Sequence, residues 1–234
     1  MKHIETLYQS IGGEFLTNPS LISNKLSKLK AFVFDWDGVF NNAEKNESGS
    51  SNFNEADSMG TNLLRFSHYT TNNTLPIAAI ISGEKNNQSF FFTTREHFHS
   101  CYFKIPNKIE ALNHLCTDKN IQPEEVCYFF DDVLDLSIAQ KCGLRIMINR
   151  KAGVLFKEYV RKNNLADYIT ANDGSSYGVR EACELVMGIA GNFDECIKMR
   201  TNYDETYKTY ISLRNKQETK FYTLTETGIK TAKI

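Results

Sequence analysis

Apolar residues along this chain fall into short unbroken runs, and the segments between them repeat with a helical period. Ala31-Phe32-Val33-Phe34, residues 76–81, Cys101-Tyr102-Phe103, residues 126–130 and residues 144–148 have the continuous hydrophobicity of strands buried on both faces. Segments 57–69, 84–98, 107–119, 133–142, 152–163 and 178–190 carry amphipathic helical patterns. This alternation predicts an α/β, Rossmann-like fold: a parallel sheet with helices on both faces. Apolar positions Ile4, Leu7, Tyr8, Ile11, Phe15 and Leu16 predict a helix over 2–29 that packs outside the sheet. Residues 41–56 lack periodicity and predict a long loop or hairpin directly after the first strand. Three parts follow: an N-terminal helical segment (1–30), a core (31–190) and a polar extension (191–234). The extension is rich in Thr, Lys, Tyr and Glu, which predicts a polar helix or a tail that needs a partner surface.

Composition narrows the function classes. The chain has 234 residues, 41% hydrophobic and 24% charged, with a formal net charge of −1. No global field draws it to nucleic acid or an anionic membrane. The run from Leu75 to Ile81 is far too short to span a bilayer, and no signal-peptide core is visible. The six cysteines lack paired spacing and sit in apolar contexts, as buried free thiols of a reducing cytoplasm do. His97 and His99 form an HxH without a third ligand nearby, which is weak support for a metal site.

The candidate chemistry lies at the carboxyl ends of the predicted strands, where open parallel sheets bind ligands. Asp35-Trp36-Asp37-Gly38 leaves the first strand with two carboxylates two residues apart. One can attack phosphorus while the other moves a proton. Ser82-Gly83 closes the second strand and offers a hydroxyl and backbone N–H groups to a phosphoryl oxygen. Lys108 follows the third strand and can offset phosphate charge. Asp131, Asp132 and Asp135 crowd three carboxylates into five residues after the fourth, an arrangement that asks for a cation such as Mg2+. Singly, these features are a turn, a helix cap, a surface lysine and a capping acidic turn. Together they occur in order, one per strand.

That order resembles the four motifs of the haloacid dehalogenase (HAD) superfamily of phosphohydrolases, over about residues 29–190. The resemblance implies Asp35 as nucleophile and Asp37 as general acid/base. It implies phosphate binding by Ser82, Gly83 and Lys108, and Mg2+ held by Asp35, Asp131 and the backbone carbonyl of Asp37. Asp132 and Asp135 would ligate the ion or support its ligands. Residues 166–170 and Gly178-Val179-Arg180-Glu181-Ala182-Cys183-Glu184 resemble the closing segment of 3-deoxy-manno-octulosonate 8-phosphate phosphatases, a group that includes phosphatases of nine-carbon sialic-type sugars. This closer resemblance implies no large cap domain, a small hairpin after the first strand, a homotetramer, and a C-terminal tail that shapes a neighbour's site. It also implies an octulosonate or nonulosonate phosphate as substrate.

Departures from that pattern bear on the substrate. Phe130 stands where the family has glycine, Glu84-Lys85 where it has arginine, and Asn41-Asn42 where it has Thr-Asp. A carboxylate at 84 repels an acidic sugar unless Lys85, Arg180 or a tail lysine compensates. The alternatives are a phosphatase of another small phosphate ester and a catalytically decayed oligomeric or regulatory module.

Overall fold

The computed structural model describes residues 2–45 and 51–234. In chain order its elements are α1 (Lys2–Ser10), β1 (Glu14–Phe15), α2 (Pro19–Leu26), β2 (Ala31–Phe34), α3 (Glu55–Asn72), β3 (Ile77–Ile81), α4 (Asn87–Arg95) and β4 (Ser100–Phe103). There follow α5 (Lys108–Lys119), β5 (Val126–Phe130), α6 (Leu136–Ala139), β6 (Leu144–Asn149), α7 (Val154–Lys162), β7 (Tyr168–Asp173) and α8 (Gly178–Ala190). The chain closes with α9 (Phe193–Asn202), α10 (Glu205–Arg214), β8 (Lys220–Thr225) and β9 (Gly228–Thr231).

Among the described residues the strands form one sheet in the order β1-β7-β6-β5-β2-β3-β4-β8-β9. The seven strands from β7 to β8 are parallel, and the short edges β1 and β9 are antiparallel to their neighbours. Central β2 shows why its sequence is apolar throughout. Phe32 and Phe34 enter the core under α3, α4 and α8, whereas Ala31 and Val33 enter the opposite core under α5, α6 and α7.

Several boundaries differ from the periodic pattern. The helix expected over 2–29 is broken into α1, β1 and α2. A side chain at Gly13 would lie 1.8 Å from the Tyr168 hydroxyl, so the chain passes there as an extended edge strand. Asn18 then caps α2, accepting the Ser20 N–H at 2.9 Å, with Pro19 at its first turn. The helix expected over 84–98 starts at Asn87, because Asn86 caps it by accepting the Gln88 N–H. The helix expected over 133–142 is a 3-10 turn (Val133–Asp135) followed by the single turn α6. Of the hairpin expected within 41–56, residues 46–50 lie outside the described residues. The flanks 41–45 and 51–54 contain no strand.

The extension folds on its own chain. Tyr207 and Tyr210 are buried against Phe66 of α3, with ring centroids 5.0 and 5.2 Å away. Their hydroxyls bond Asn62. β8 then pairs in parallel with β4, Ser100 opposite Lys220 through Phe103 opposite Thr223. Tyrosines supply the buried area that an aliphatic count misses.

At the amino-terminal side, buried Asp167 collects α2, β6 and the β1 entry. It accepts from Lys25 Nζ at 2.6 Å, Thr17 Oγ1 at 2.7 Å, and Arg145 at its backbone N–H (2.8 Å) and Nη2 (3.0 Å). Burial alone would raise its pKa, but the hydrogen bonds and charges of Arg145 and Lys25 outweigh that and hold it below the ordinary value. Asp167→Ala is therefore expected to cost about 3 kcal/mol in urea unfolding at neutral pH, since it strands Arg145. A carboxylate with a depressed folded pKa stabilises above its unfolded value and loses that contribution in acid. The difference between wild type and variant should accordingly shrink as the pH falls below about 4.

Candidate active site

The carboxyl ends of β2, β3, β5 and β6 share one edge of the sheet, and each delivers a polar group there. Asp35 prolongs β2, its N–H donating to the Phe129 carbonyl at 2.9 Å. Ser82 prolongs β3 in the same way, through the Tyr102 carbonyl at 2.9 Å. Asp131 follows β5, Arg150 follows β6, and Lys108 opens α5 behind β4.

Lys108 is the hub. Its Nζ donates to Asp35 Oδ1 and to Asp135 Oδ1, both at 2.6 Å, and all three side chains are buried. The Tyr128 hydroxyl donates to the same Asp135 oxygen at 2.6 Å. The Asp132 N–H reaches Asp135 Oδ2 at 3.2 Å. Burial by itself would lower the Lys108 pKa, but Asp35 and Asp135 outweigh it and keep the ammonium charged. Burial, followed by the charge of Asp135, pushes Asp35 up to about 7.

Asp131 has the least compensation. It is 1% exposed, and neither carboxylate oxygen has a hydrogen-bond partner among the described residues. Arg150 Nη2 lies 2.5 Å from Oδ2, close enough for an ion pair but outside hydrogen-bond geometry. Burial first, then Asp35 and Asp135, pushes Asp131 up to about 9. Oxygen atoms of Asp35, Asp131 and Asp135 lie within 4.8 Å of one another. Asp135 is already filled by Lys108, Tyr128 and backbone donors, so the oxygens free for a hard divalent cation belong to Asp35 and Asp131. The residues present thus suit Mg2+. Gly38, at φ +92°, is forced by the same crowding. A Cβ there would lie 2.1 Å from both Asp131 Oδ2 and Arg150 Nη2.

Asp37 faces the insert. Lys45 Nζ bonds its Oδ2 at 2.6 Å and Ser51 Oγ its Oδ1 at 2.9 Å. Ser82 is buried, and its Oγ accepts the Glu84 N–H at 3.3 Å. Gly83 has open space around it, a Cβ meeting only the Ile105 carbonyl at 3.9 Å. Glu84 and Lys85 are exposed. Asp132 is exposed as well and caps the 3-10 turn through the Val133 N–H, meeting the cluster through Arg150 Nη1, 3.9 Å from its Oδ2. Arg180 pairs with Glu184 at 2.6 Å, and its N–H donates to Asp57 at 2.7 Å. The ring of Phe130 packs in the core beside Tyr128, centroids 5.9 Å apart, so the family's glycine is replaced without loss of packing.

Asp35, Lys108, Asp131 and Asp135 therefore converge, while Lys85 and Arg180 do not join them and Asp132 meets them through Arg150. Sequence reasoning missed Arg150, Tyr128, Lys45 and Ser51. Arg150-Lys151 carried a signal, two cations directly after an apolar strand. Tyr128 looked like any core aromatic, and Lys45 and Ser51 lie in a loop without pattern.

No family model matches the chain. The curated 3-deoxy-D-manno-octulosonate 8-phosphate phosphatase KdsC of Escherichia coli (strain K12) is 33% identical over 89 residues, 38% of this chain and 44% of that protein. KdsC of Yersinia pestis is 28% identical over 81 residues, 35% of this chain and 40% of its own length. The match thus spans less than half the length of these curated relatives. Among solved structures, the 3-deoxy-D-manno-octulosonate 8-phosphate phosphatase from Moraxella catarrhalis, in complex with magnesium, phosphate and KDO, has a TM-score of 0.63 at 25% identity. It covers 76% of this chain and 97% of its own. A probable YrbI family phosphatase from Pseudomonas syringae pv. phaseolica has a TM-score of 0.65 at 25% identity, covering 78% and 98%. The cobalt-bound enzyme YrbI from Haemophilus influenzae shares the fold at 20% identity, with a TM-score of 0.61 and coverage of 72% and 93%. The chain has the HAD fold and resembles the KdsC phosphatases; about a quarter of it lacks a counterpart in the Moraxella structure.

The Gly38 geometry makes a direct test. Gly38→Ala should displace Asp131 and weaken Mg2+ binding at least tenfold by calorimetry. The unfavourable φ should cost only about 1–2 kcal/mol of stability.

Proposed function

We propose that this protein is a Mg2+-dependent phosphomonoester hydrolase that acts on a sugar phosphate through an aspartyl-phosphate on Asp35. The observation that carries the proposal is the buried Lys108 bridge between Asp35 and Asp135, set beside an Asp131 that has, among the described residues, the Arg150 ion pair but no hydrogen-bond partner. An Asp35 oxygen attacks phosphorus, and the bond from phosphorus to the sugar oxygen breaks. Asp37 gives its proton to the departing alkoxide. It then takes one from the water that attacks the same phosphorus and frees Asp35. Lys108 steadies the charge of nucleophile and phosphoryl group together. Mg2+, held by Asp35, Asp131 and the Asp37 carbonyl, would neutralise phosphate charge when bound. Without substrate, Lys45 and Ser51 orient the Asp37 carboxylate through both oxygens, and Asp37 takes up a proton in place of its Lys45 contact before it acts as the acid.

The substrate class is inferred from the groove beside the site. Asn41, Asn42 and Asn54 line it with Lys45, and an adjoining recess of about 130 Å3 adds Arg150 and Lys151. Amides suit sugar hydroxyls; Lys45 and Arg150 are paired with Asp37 and Asp131, and Glu44 and Asp173 line the same recesses, so among the described residues Lys151 is the cation left for a sugar carboxylate. Exposed Glu84 lines neither recess. An acidic 2-keto-3-deoxy octulosonate or nonulosonate phosphate is therefore the proposed substrate. A homotetramer belongs to the same proposal. The C-terminal extension, residues 191–234, packs on its own chain and is proposed to shape a neighbour's site from there.

Asp35→Asn should abolish turnover, because an amide does not attack phosphorus, while the fold and melting temperature persist. Activity within about tenfold of wild type, a barrier change of ~1.4 kcal/mol or less, would remove Asp35 as nucleophile. Wild type should lose activity in excess chelator and regain it with Mg2+. Preference for neutral hexose phosphates over 2-keto-3-deoxy sugar phosphates would overturn the substrate class and leave the phosphatase standing.

Replacing Arg150 probes the cation site separately. Arg150→Ala removes a cation that contacts Asp131, so Mg2+ should bind several-fold more tightly by calorimetry. KM for the acidic sugar phosphate should rise over the same substitution.

A further inference from the structure

The C-terminal extension closes a second charged cleft away from the catalytic edge. It lies between α3 and α4 of the core and α9 and α10 of the extension, with a volume of about 300 Å3. Arg95, Arg200 and Arg214 line it together with Glu55, Glu96 and Tyr207. Arg65 lies beneath, 2% exposed, and donates to the Glu96 carbonyl oxygen at 2.6 Å rather than to a carboxylate.

The charges do not balance. Glu55 is taken by Arg95, with both of its oxygens 2.6 Å from Nη2. Glu96 is shared between Arg214 at 3.3 Å and Arg95 at 3.5 Å, and its Oε1 also accepts from Ser58 at 2.9 Å. Arg214 reaches Asn62 Oδ1 at 2.8 Å besides. Among the described residues, three guanidinium groups line the cleft against two carboxylates, with Arg65 beneath them. Arg200 carries the surplus: its Cζ lies 4.8 Å over the Tyr207 ring, and its buried Nε has no hydrogen-bond partner among the described residues. Arg65 Nε is buried and has none among the described residues either. An uncompensated positive charge in a partly desolvated cleft is costly, and an anion that takes several N–H donors at once removes the cost.

We propose that this cleft is a second ligand site, distinct from the catalytic one, that binds a small phosphate-bearing anion with Arg200 as its principal donor. The planar fork of guanidinium suits phosphate oxygens, and the volume admits inorganic phosphate or a phosphorylated sugar. The site exists only when the extension folds back in cis, because Arg200, Tyr207 and Arg214 all belong to it.

The test uses the full chain in excess chelator, with inorganic phosphate and glucose 6-phosphate as separate probes in calorimetry and thermal melting. Wild type should bind phosphate and gain melting temperature as its concentration rises. Arg200→Gln should weaken that binding at least tenfold and flatten the gain, with Mg2+-dependent turnover of an aryl phosphate unchanged. Ile211→Glu, which brings a carboxylate to the cleft wall, should raise the melting temperature without phosphate and cancel its effect. Tighter binding of glucose 6-phosphate than of inorganic phosphate would mark the ligand as a phosphorylated sugar; the reverse order would mark free phosphate. Equal phosphate affinity and stoichiometry in wild type and Arg200→Gln would overturn the proposal, as would no binding by wild type at millimolar concentrations. The Arg200 result decides even if Ile211→Glu fails to fold.

Discussion

Three carboxylates held within 4.8 Å of one another in a buried place repel strongly, and the rest of this site is arranged around that repulsion. Lys108 offsets one of the two charges it bridges, Tyr128 and backbone N–H groups fill the remaining valence of Asp135, and Arg150 leans on Asp131. The parallel sheet supplies the constraint that makes this possible. Strands β2, β3 and β5 all end at one edge, so residues far apart in sequence arrive together with little freedom to move apart. Burial first, and then the neighbouring carboxylates, raise the pKa of Asp35 and Asp131, and a divalent cation is the natural way to relieve that strain.

The part of this arrangement that follows from strand ends could be read in the sequence. β2 and β5 have the boundaries their apolar runs predict, because strands buried on both faces leave no polar residue to blur their limits. Asp35, Lys108, Asp131 and Asp135 meet for the same reason. What escaped depends on tertiary geometry rather than local pattern. Arg180 sits in a segment that resembles the family's and yet pairs with Glu184, since one helical turn brings the two together. Asp132, next to Asp131, turns outward to cap the following 3-10 turn, which no count of acidic residues reveals. The break in the first expected helix needed knowledge of where the Tyr168 hydroxyl would lie.

The extension was the least legible region, because its folding is driven by tyrosines and by pairing with a strand already made. Phe221 packs 5.3 Å from Phe90, and Tyr222 stacks on Tyr102 at 4.9 Å, so the sheet and both of its cores continue across the added strand. Thr219 ties the approach to β8 into the carbonyls of Thr93 and Phe98 at 2.9 and 2.8 Å. Polar composition here marks a surface layer with an aromatic underside rather than an unfolded tail.

That added strand also sets an order of events during synthesis. β4 emerges from the ribosome about 120 positions before its outer neighbour β8. Throughout that interval Ser100 to Phe103 present unpaired backbone groups along an apolar edge, the kind of template that recruits other chains. The nascent protein must therefore cross a window in which its sheet is open on one side, and helices α9 and α10, docking on α3 beforehand, shorten the search that closes it.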